Sequence, residues 1–448
     1  MTIAQAFYGT FVHAPTTKQL VFLKNTVLVL DRHGKIVSIT PDQSLEQAQA
    51  AFRALENSKT TVLNDNQFFV PGYIDTHIHA PQYAYCGIGH DMPLLKWLNT
   101  LTFPQEAMFQ DHHYARQVYT KAVARSLRNG TTAACWFATI HLEATKELVK
   151  AIQEQGQRAY IGKVNMNQNS PDILIETTAA SIADTRAFIE YVQAVNRTMD
   201  PDSTSVSPPL IQPIITPRFA LSCTSDLMIQ LGKLSEEFKI PIQSHLCENL
   251  EEIDLTLSQF PNSTTYTGVY ADHGLLKERT IMAHCVHMKD EEFKLMKDAG
   301  ASISHCAGSN FNIKSGMADV RKMLDLDIKV GLGTDVAGGY SPSILDAIRT
   351  SRICSIARNP TQSLLIPELF YLATLGGAKV MGLGETIGSF EVGKDFDAVL
   401  VNTAVKNSPL DSFGRDTVQT KFEKYLFVGD DRNHERIFIQ GREARLPE

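Results

Sequence analysis

Between residues 71 and 384 short apolar runs alternate with longer stretches whose apolar residues recur every three or four positions. The short runs predict eight strands, over 69–77, 131–137, 158–164, 210–216, 241–245, 280–284, 301–305 and 329–334. The longer stretches predict helices. Leu227, Leu231, Leu234 and Phe238 share one face of a helix over 225–238. Ile189, Val192 and Val195 do the same over 183–197, with Pro201 as the stop, and the helix over 290–299 runs into Gly300, a suitable left-handed cap. Eight strands separated by helices predict a (β/α)8 barrel of the TIM type, whose catalytic residues sit at the C-terminal strand ends. An open doubly wound sheet is the competing architecture. Neither a GxGxxG after a strand nor a GxxxxGK[ST] is present to support it.

The chain ends read differently. Apolar runs over 19–29, 36–40 and 61–70, and in the tail over 387–401, 425–428 and 435–440, are short and separated by turn-like polar groups. They predict a small β-sandwich domain built from 1–70 plus 385–448, beside a catalytic barrel over 71–384. Composition agrees with a large buried core: of 448 residues, 43% are hydrophobic and 20% charged. The formal charge of −7 argues against a nucleic-acid footprint, which concentrates Lys and Arg on one face. No apolar run approaches the ~18 residues of a membrane span, and the N-terminus lacks the basic start and apolar stretch of a signal peptide. Seven cysteines without a CxxC pair make a disulfide framework or cysteine-ligated zinc unexpected. A reducing, cytoplasmic setting is the expectation.

The histidines fall where a barrel carries chemistry. His77 and His79 are two apart on a strand, so both point the same way. His245 ends the fifth strand, His284 the sixth, and Asp335 follows the eighth. Histidines and a carboxylate converging on one barrel mouth suit a hydrolytic metal, zinc best, with iron or manganese as alternatives. Gly331 and Gly333 share the inward parity of Asp335 and leave room there. Glu248 sits on the turn past His245, placed to ferry protons between water and a substrate nitrogen, whereas Glu251 and Glu252 read as solvated neighbours. Binuclear barrels commonly bridge their ions with a carbamylated lysine on the fourth strand. The stretch 210–218 has none, so one metal is expected. That strand ends in Arg218-Phe219, either a hydrogen-bond donor and stacking face for a ligand or a surface ion pair and a core ring. Gln82 can donate and accept at once. Trp97, Leu101 and Phe103, in the long connection 87–110, either roof the pocket or pack on a helix. His305 is a rim candidate, and Cys247, Cys285 and Cys306 read as small hydrophobes.

Pro71-Gly72-Tyr73-Ile74-Asp75-Thr76-His77-Ile78-His79, His245-Leu246-Cys247-Glu248 and Gly333-Thr334-Asp335 resemble the mononuclear deaminase branch of the amidohydrolase superfamily. Thr216-Pro217-Arg218-Phe219, the stretch from Gly331 to Tyr340, and Gly429-Asp430-Asp431-Arg432-Asn433 resemble, within it, the guanine deaminase family. The resemblance covers about 68–441. It implies zinc held by His77, His79, His245 and Asp335, with His284 beside the attacking water and Glu248 as proton shuttle. Gln82, Arg218 and Phe219, with His245 and Trp97 beside the ring, are the implied purine contacts. It further implies a homodimer and hydrolysis of guanine to xanthine and ammonia. The alternatives are a related deaminase of another nucleobase, nucleoside derivative or triazine, and a scaffold without catalysis.

Overall fold

Eight parallel strands close into a barrel in a computed structural model that describes residues 3–53, 55, 58–199 and 207–445. They are β1 (Tyr73–His79), β2 (Thr131–Phe137), β3 (Arg158–Gly162), β4 (Ile211–Pro213), β5 (Ile242–Leu246), β6 (Thr280–His284), β7 (Ser302–His305) and β8 (Lys329–Leu332). Pairing runs in chain order from β1 to β4 and from β5 to β8. A parallel bridge from Ile215 to Ile242 joins the two arcs. On the other side the Asp335 N–H donates to the His77 carbonyl at 2.9 Å and the His79 N–H to that of Val336 at 3.2 Å, so the chain after β8 closes on β1. The strands are buried along almost their whole length, and helices such as Ser225–Phe238 lay Leu227, Leu231 and Leu234 onto them. That helix and Asp290–Ala299, capped by Gly300 at φ +68°, match their predicted limits. The third expected helix is longer, Thr178–Met199, and its predicted stop at Pro201 lies outside the described residues.

Three predicted strands are corrected. The stretch 69–77 is two strands in two sheets. Gln67–Pro71 pairs antiparallel with Ala398–Asn402, and β1 begins after Gly72. A Cβ at Gly72 would lie 2.0 Å from the Thr132 hydroxyl, so the crossover between sheets needs a glycine. The fourth strand breaks at Pro213, which has no N–H to give, and pairing resumes at Thr216–Pro217 against Val164–Asn165. The tail stretch 425–428 is the end of a helix, Val418–Val428, begun by the Thr417 side chain accepting from the Thr420 N–H. Phe422, Tyr425 and Leu426 follow helical spacing and are buried against Phe68, Tyr73 and Phe370.

Both chain ends meet in one continuous eight-stranded sheet, in which Ile3–Thr16 pairs with Gln19–Asp31 and Ala398–Asn402 with His434–Ile439. The long strands carry register shifts that let the sheet wrap a phenylalanine core. Phe7, Phe11, Phe69, Phe396 and Phe438 pack there with ring centroids 5.1–5.8 Å apart. Among the described residues no helix is long and apolar enough to cross a membrane.

Candidate metal centre and active site

Strand period, not loop placement, brings the first two histidines together. His77 and His79 project from the same face of β1, and their rings stand 5.0 Å apart. β5 supplies His245 and the turn after β8 supplies Asp335. One ligand atom from each of these four buried residues lies within 4.8 Å of every other. His77 Nε2 is 3.1 Å and His79 Nε2 3.3 Å from Asp335 Oδ1, and His79 Nε2 is 3.2 Å from His245 Nε2. Phe137 of β2 packs edge-on or tilted against all three rings at 4.7–5.0 Å and walls the group from solvent. The room expected from Gly331 and Gly333 is taken by neighbours. Their missing side chains admit Thr76, Ser304, Cys306 and the Cβ of His77, with the nearest atoms 2.6 Å from an added Cβ.

The electrostatics suit a cation. Burial lowers the pKa of His77, takes that of His79 to about 3 and drops that of His245 well below the usual range, so the imidazoles are neutral, the form in which histidine can bind a metal. Burial alone would raise Asp335, but the facing His77 and hydrogen bonds from His77 and His79 hold its carboxyl well below normal. A buried carboxylate facing rings that burial keeps neutral lacks a counter-charge, which a divalent ion would supply. His284 Nε2 is buried with no hydrogen-bond partner, as a water-facing atom would be. The His245 tautomer is fixed by its Nδ1–H donating to the Arg218 carbonyl at 2.5 Å, the outer support common for metal-binding histidines.

His284 and Glu248 stand beside this group rather than in it. The Nδ1 of His284 donates to Asn310 Oδ1 at 2.9 Å, which turns its bare Nε2 toward Glu248 Oε2 at 3.4 Å and Asp335 Oδ2 at 3.8 Å. Both His284 (φ +71°) and Asp335 (φ +46°) have left-handed backbone, uncommon outside glycine and found at sites whose surroundings over-determine them. Burial, then the charge of Asp335, pushes the Glu248 carboxyl well above its ordinary range, against the Ser315 hydroxyl that donates to it at 3.1 Å. Glu252, expected to be solvated, is buried. It accepts from the Glu248 and Asn249 N–H groups at 3.1 and 3.3 Å and from the Tyr266 hydroxyl at 2.6 Å, and so fixes the turn that carries Glu248. Its neighbour Glu251 is exposed, as read.

Arg218 is not a surface residue. Its guanidinium is buried and forms a two-point pair with Glu106, Nη1 to Oε2 at 2.6 Å and Nη2 to Oε1 at 3.1 Å, above the ring of Phe103. Gln82 joins the same network. Its Nε2 donates to Glu106 Oε1 at 3.3 Å and its Oε1 accepts from the Ala337 N–H at 3.0 Å. Glu106 went unnoticed in the sequence. The one signal was its place one turn after Phe103 in the helix Phe103–Ala107. Trp97, Leu94 and Leu98 cover the pocket that His79, Arg218, Phe219 and Glu248 line, while Leu101 packs partly buried at the margin. Lys163 pairs with Glu176 at 2.5 Å, away from the ligands. His305 is buried at the end of β7 and lines a separate cavity with Met317 and Ser351.

The profile of the amidohydrolase family matches residues 68–444. The chain is 45% identical to the guanine deaminase of Dictyostelium discoideum, with 99% of each covered. To the guanine deaminase of Homo sapiens it is 41% identical, over 99% of this chain and 97% of that one. A crystal structure of guanine deaminase from C. acetobutylicum with bound guanine superposes with a TM-score of 0.87 at 36% identity, over 98% of this chain and 100% of that one. With the closed barrel, the histidine pair on β1 and the aspartate after β8, these likenesses establish that the chain belongs to the amidohydrolase family.

Proposed function

We propose that the protein hydrolyses guanine to xanthine and ammonia, in purine salvage or catabolism, with one zinc ion per chain held by His77, His79, His245 and Asp335. The observation that carries the reading is a buried acid, Glu248, set between that ligand group and a pocket edged by Arg218 and Gln82. Full-length likeness to guanine deaminases supports the choice of base. A metal held there would lower the pKa of a coordinated water to ~7 and so supply a nucleophile at neutral pH.

The side chains divide the remaining work. Asp335 accepts a proton from the attacking water, and the bare Nε2 of His284 orients that water by hydrogen bonding. Glu248, kept protonated by its surroundings, donates to the ring nitrogen beside the amine-bearing carbon. The proton taken up by Asp335 then passes to the departing amine, and Glu248 recovers its own from the hydroxyl of the tetrahedral carbon as the new carbonyl forms. The three guanidinium N–H groups of Arg218 that Glu106 leaves free, out of five, can read the purine carbonyl. Gln82 meets the polar edge, while Phe219, Trp97 and the ring of His245 bound the flat faces. Adenine offers an amine where Arg218 seeks an acceptor, which leaves a buried N–H donor unsatisfied.

The same reading takes 1–70 plus 385–448 as a supporting domain and 71–384 as the catalytic one. A homodimer accounts for the exposed Ile353 and Ile356 of the helix Ile344–Arg358 and the nearby Leu365, a run of apolar surface otherwise left in water. Seven free cysteines, six of them buried, accord with a reducing cytoplasm.

One experiment tests the activity. Metal per chain is measured, and guanine consumption is followed by ultraviolet absorbance before chelation, after it, and after zinc is restored. Loss and recovery are expected. Activity that persists in metal-free protein, or an intact metalloprotein inert toward guanine but active on cytosine or a triazine, overturns the reading.

A further inference from the structure

Glu106 is a fully buried acid that the chemistry above does not use. It sits with Arg218 on one side and Gln82 on the other, on a helix whose Phe103 also lies against the guanidinium. Without it Arg218 would be an isolated cation in a desolvated pocket, and such a cation attracts any anion able to enter. That matters because the substrate and product differ in acidity. A monooxo aminopurine is neutral near pH 7, whereas the dioxopurine formed from it loses a proton more readily. A bare arginine would therefore favour the ionised product over the neutral substrate. Paired with a carboxylate, it remains a hydrogen-bond donor of fixed direction but no longer presents net charge.

We propose that Glu106 is a specificity-positioning residue: it fixes the guanidinium of Arg218 and the amide of Gln82, and it cancels the arginine's charge so that the pocket reads a neutral carbonyl and releases the acidic dioxopurine product. The inference rests on the proposed guanine chemistry. It adds a prediction in a direction that simple structural damage does not produce, namely tighter product binding.

Glu106→Gln keeps the shape and removes the charge. Its KM for guanine is expected to rise while bound metal stays as in the parent, and inhibition by xanthine is expected to tighten by roughly tenfold, increasingly so as pH rises through the ionisation of xanthine. Glu106→Asp keeps the charge but retracts it by one methylene. Its KM is expected to rise with xanthine inhibition no stronger than in the parent. The unmodified protein provides a reading that needs no variant: its affinity for xanthine, followed by inhibition from pH 6 to 9 (the range set by the assay), is expected not to increase as the ligand ionises. Xanthine binding that tightens with pH in the parent, or a Glu106→Gln enzyme with unchanged KM and unchanged xanthine inhibition, overturns the inference. A parent protein inert toward guanine would instead overturn the reading beneath it.

Discussion

Glu248 sits where three demands conflict. In the proposed reaction it has to reach a substrate nitrogen, hold a proton near neutral pH and stay clear of the four clustered side chains. Burial and the charge of Asp335 supply the second demand. The Glu252 carboxylate supplies the first and third by tying down the N–H groups of Glu248 and Asn249. Glu248→Gln keeps the shape and the Ser315 contact but cannot cycle a proton. Its bound metal is expected to stay at the parent level while kcat falls by roughly 10²–10⁴-fold. Metal analysis beside initial rates checks this, and a variant retaining more than a tenth of the parent rate (a single order of magnitude, about 1.4 kcal/mol) removes Glu248 from the role. The convergence of the histidines and the place of Glu248 beside them were legible because strand period and strand ends are local signals. Glu106 was not, since it owes its importance to Arg218, 112 positions away, and no periodicity announces such a pair. Glu252 was missed although it closes a capping box with Asn249, a local signal.

Among the elements, β3 and β4 depend on close approach. At Gly162, the last residue of β3, an added Cβ would lie 1.7 Å from the Thr216 hydroxyl and 2.8 Å from the Gln243 amide, which themselves hydrogen-bond at 3.0 Å. Gly162→Ala is therefore expected to destabilise the fold by about 1–3 kcal/mol through overpacking, seen as a lowered urea midpoint with an unchanged slope. A midpoint equal to the parent's would mean that β3 and β4 yield at no cost. Most strand positions were readable from the sequence because barrel strands are continuous apolar runs. The breaks at Gly72 and Pro213 were not, since what decides them is which sheet each half joins. Likewise the four apolar residues at 425–428 have no period of their own. Only with Phe422 and the Thr417 cap included does their helical spacing emerge.

Across the whole molecule, the two chain ends are tied to the barrel by buried charge and to each other by packing. Arg158 at the start of β3 donates from Nε to Asp397 Oδ2 and from Nη2 to Asp395 Oδ2, both at 3.0 Å, fixing the returning chain under the barrel. Within the end sheet His13 accepts from the Phe390 N–H at 3.3 Å, a bond only an unprotonated Nδ1 can make. Burial lowers its pKa to about 4, with Glu391 opposing and Lys394 assisting. The unfolded chain, with a histidine pKa near 6.5, binds the proton more readily, so the neutral ring's contribution is complete above about pH 6.5 and is lost progressively as pH falls toward 4. The size is at most about 3 kcal/mol. His305, also lowered to about 4 by burial, adds a parallel loss in the barrel, so the end sheet must be isolated by difference. His13→Asn keeps an acceptor and removes the titration. Thermal midpoints of parent and variant, measured at pH 7.5 and again at pH 5, are expected to diverge less at the acidic value, because the parent alone pays the cost of keeping His13 neutral. Equal acid sensitivity in the two proteins would mean that the end sheet does not unfold with the barrel as one unit, or that His13 is already protonated in it.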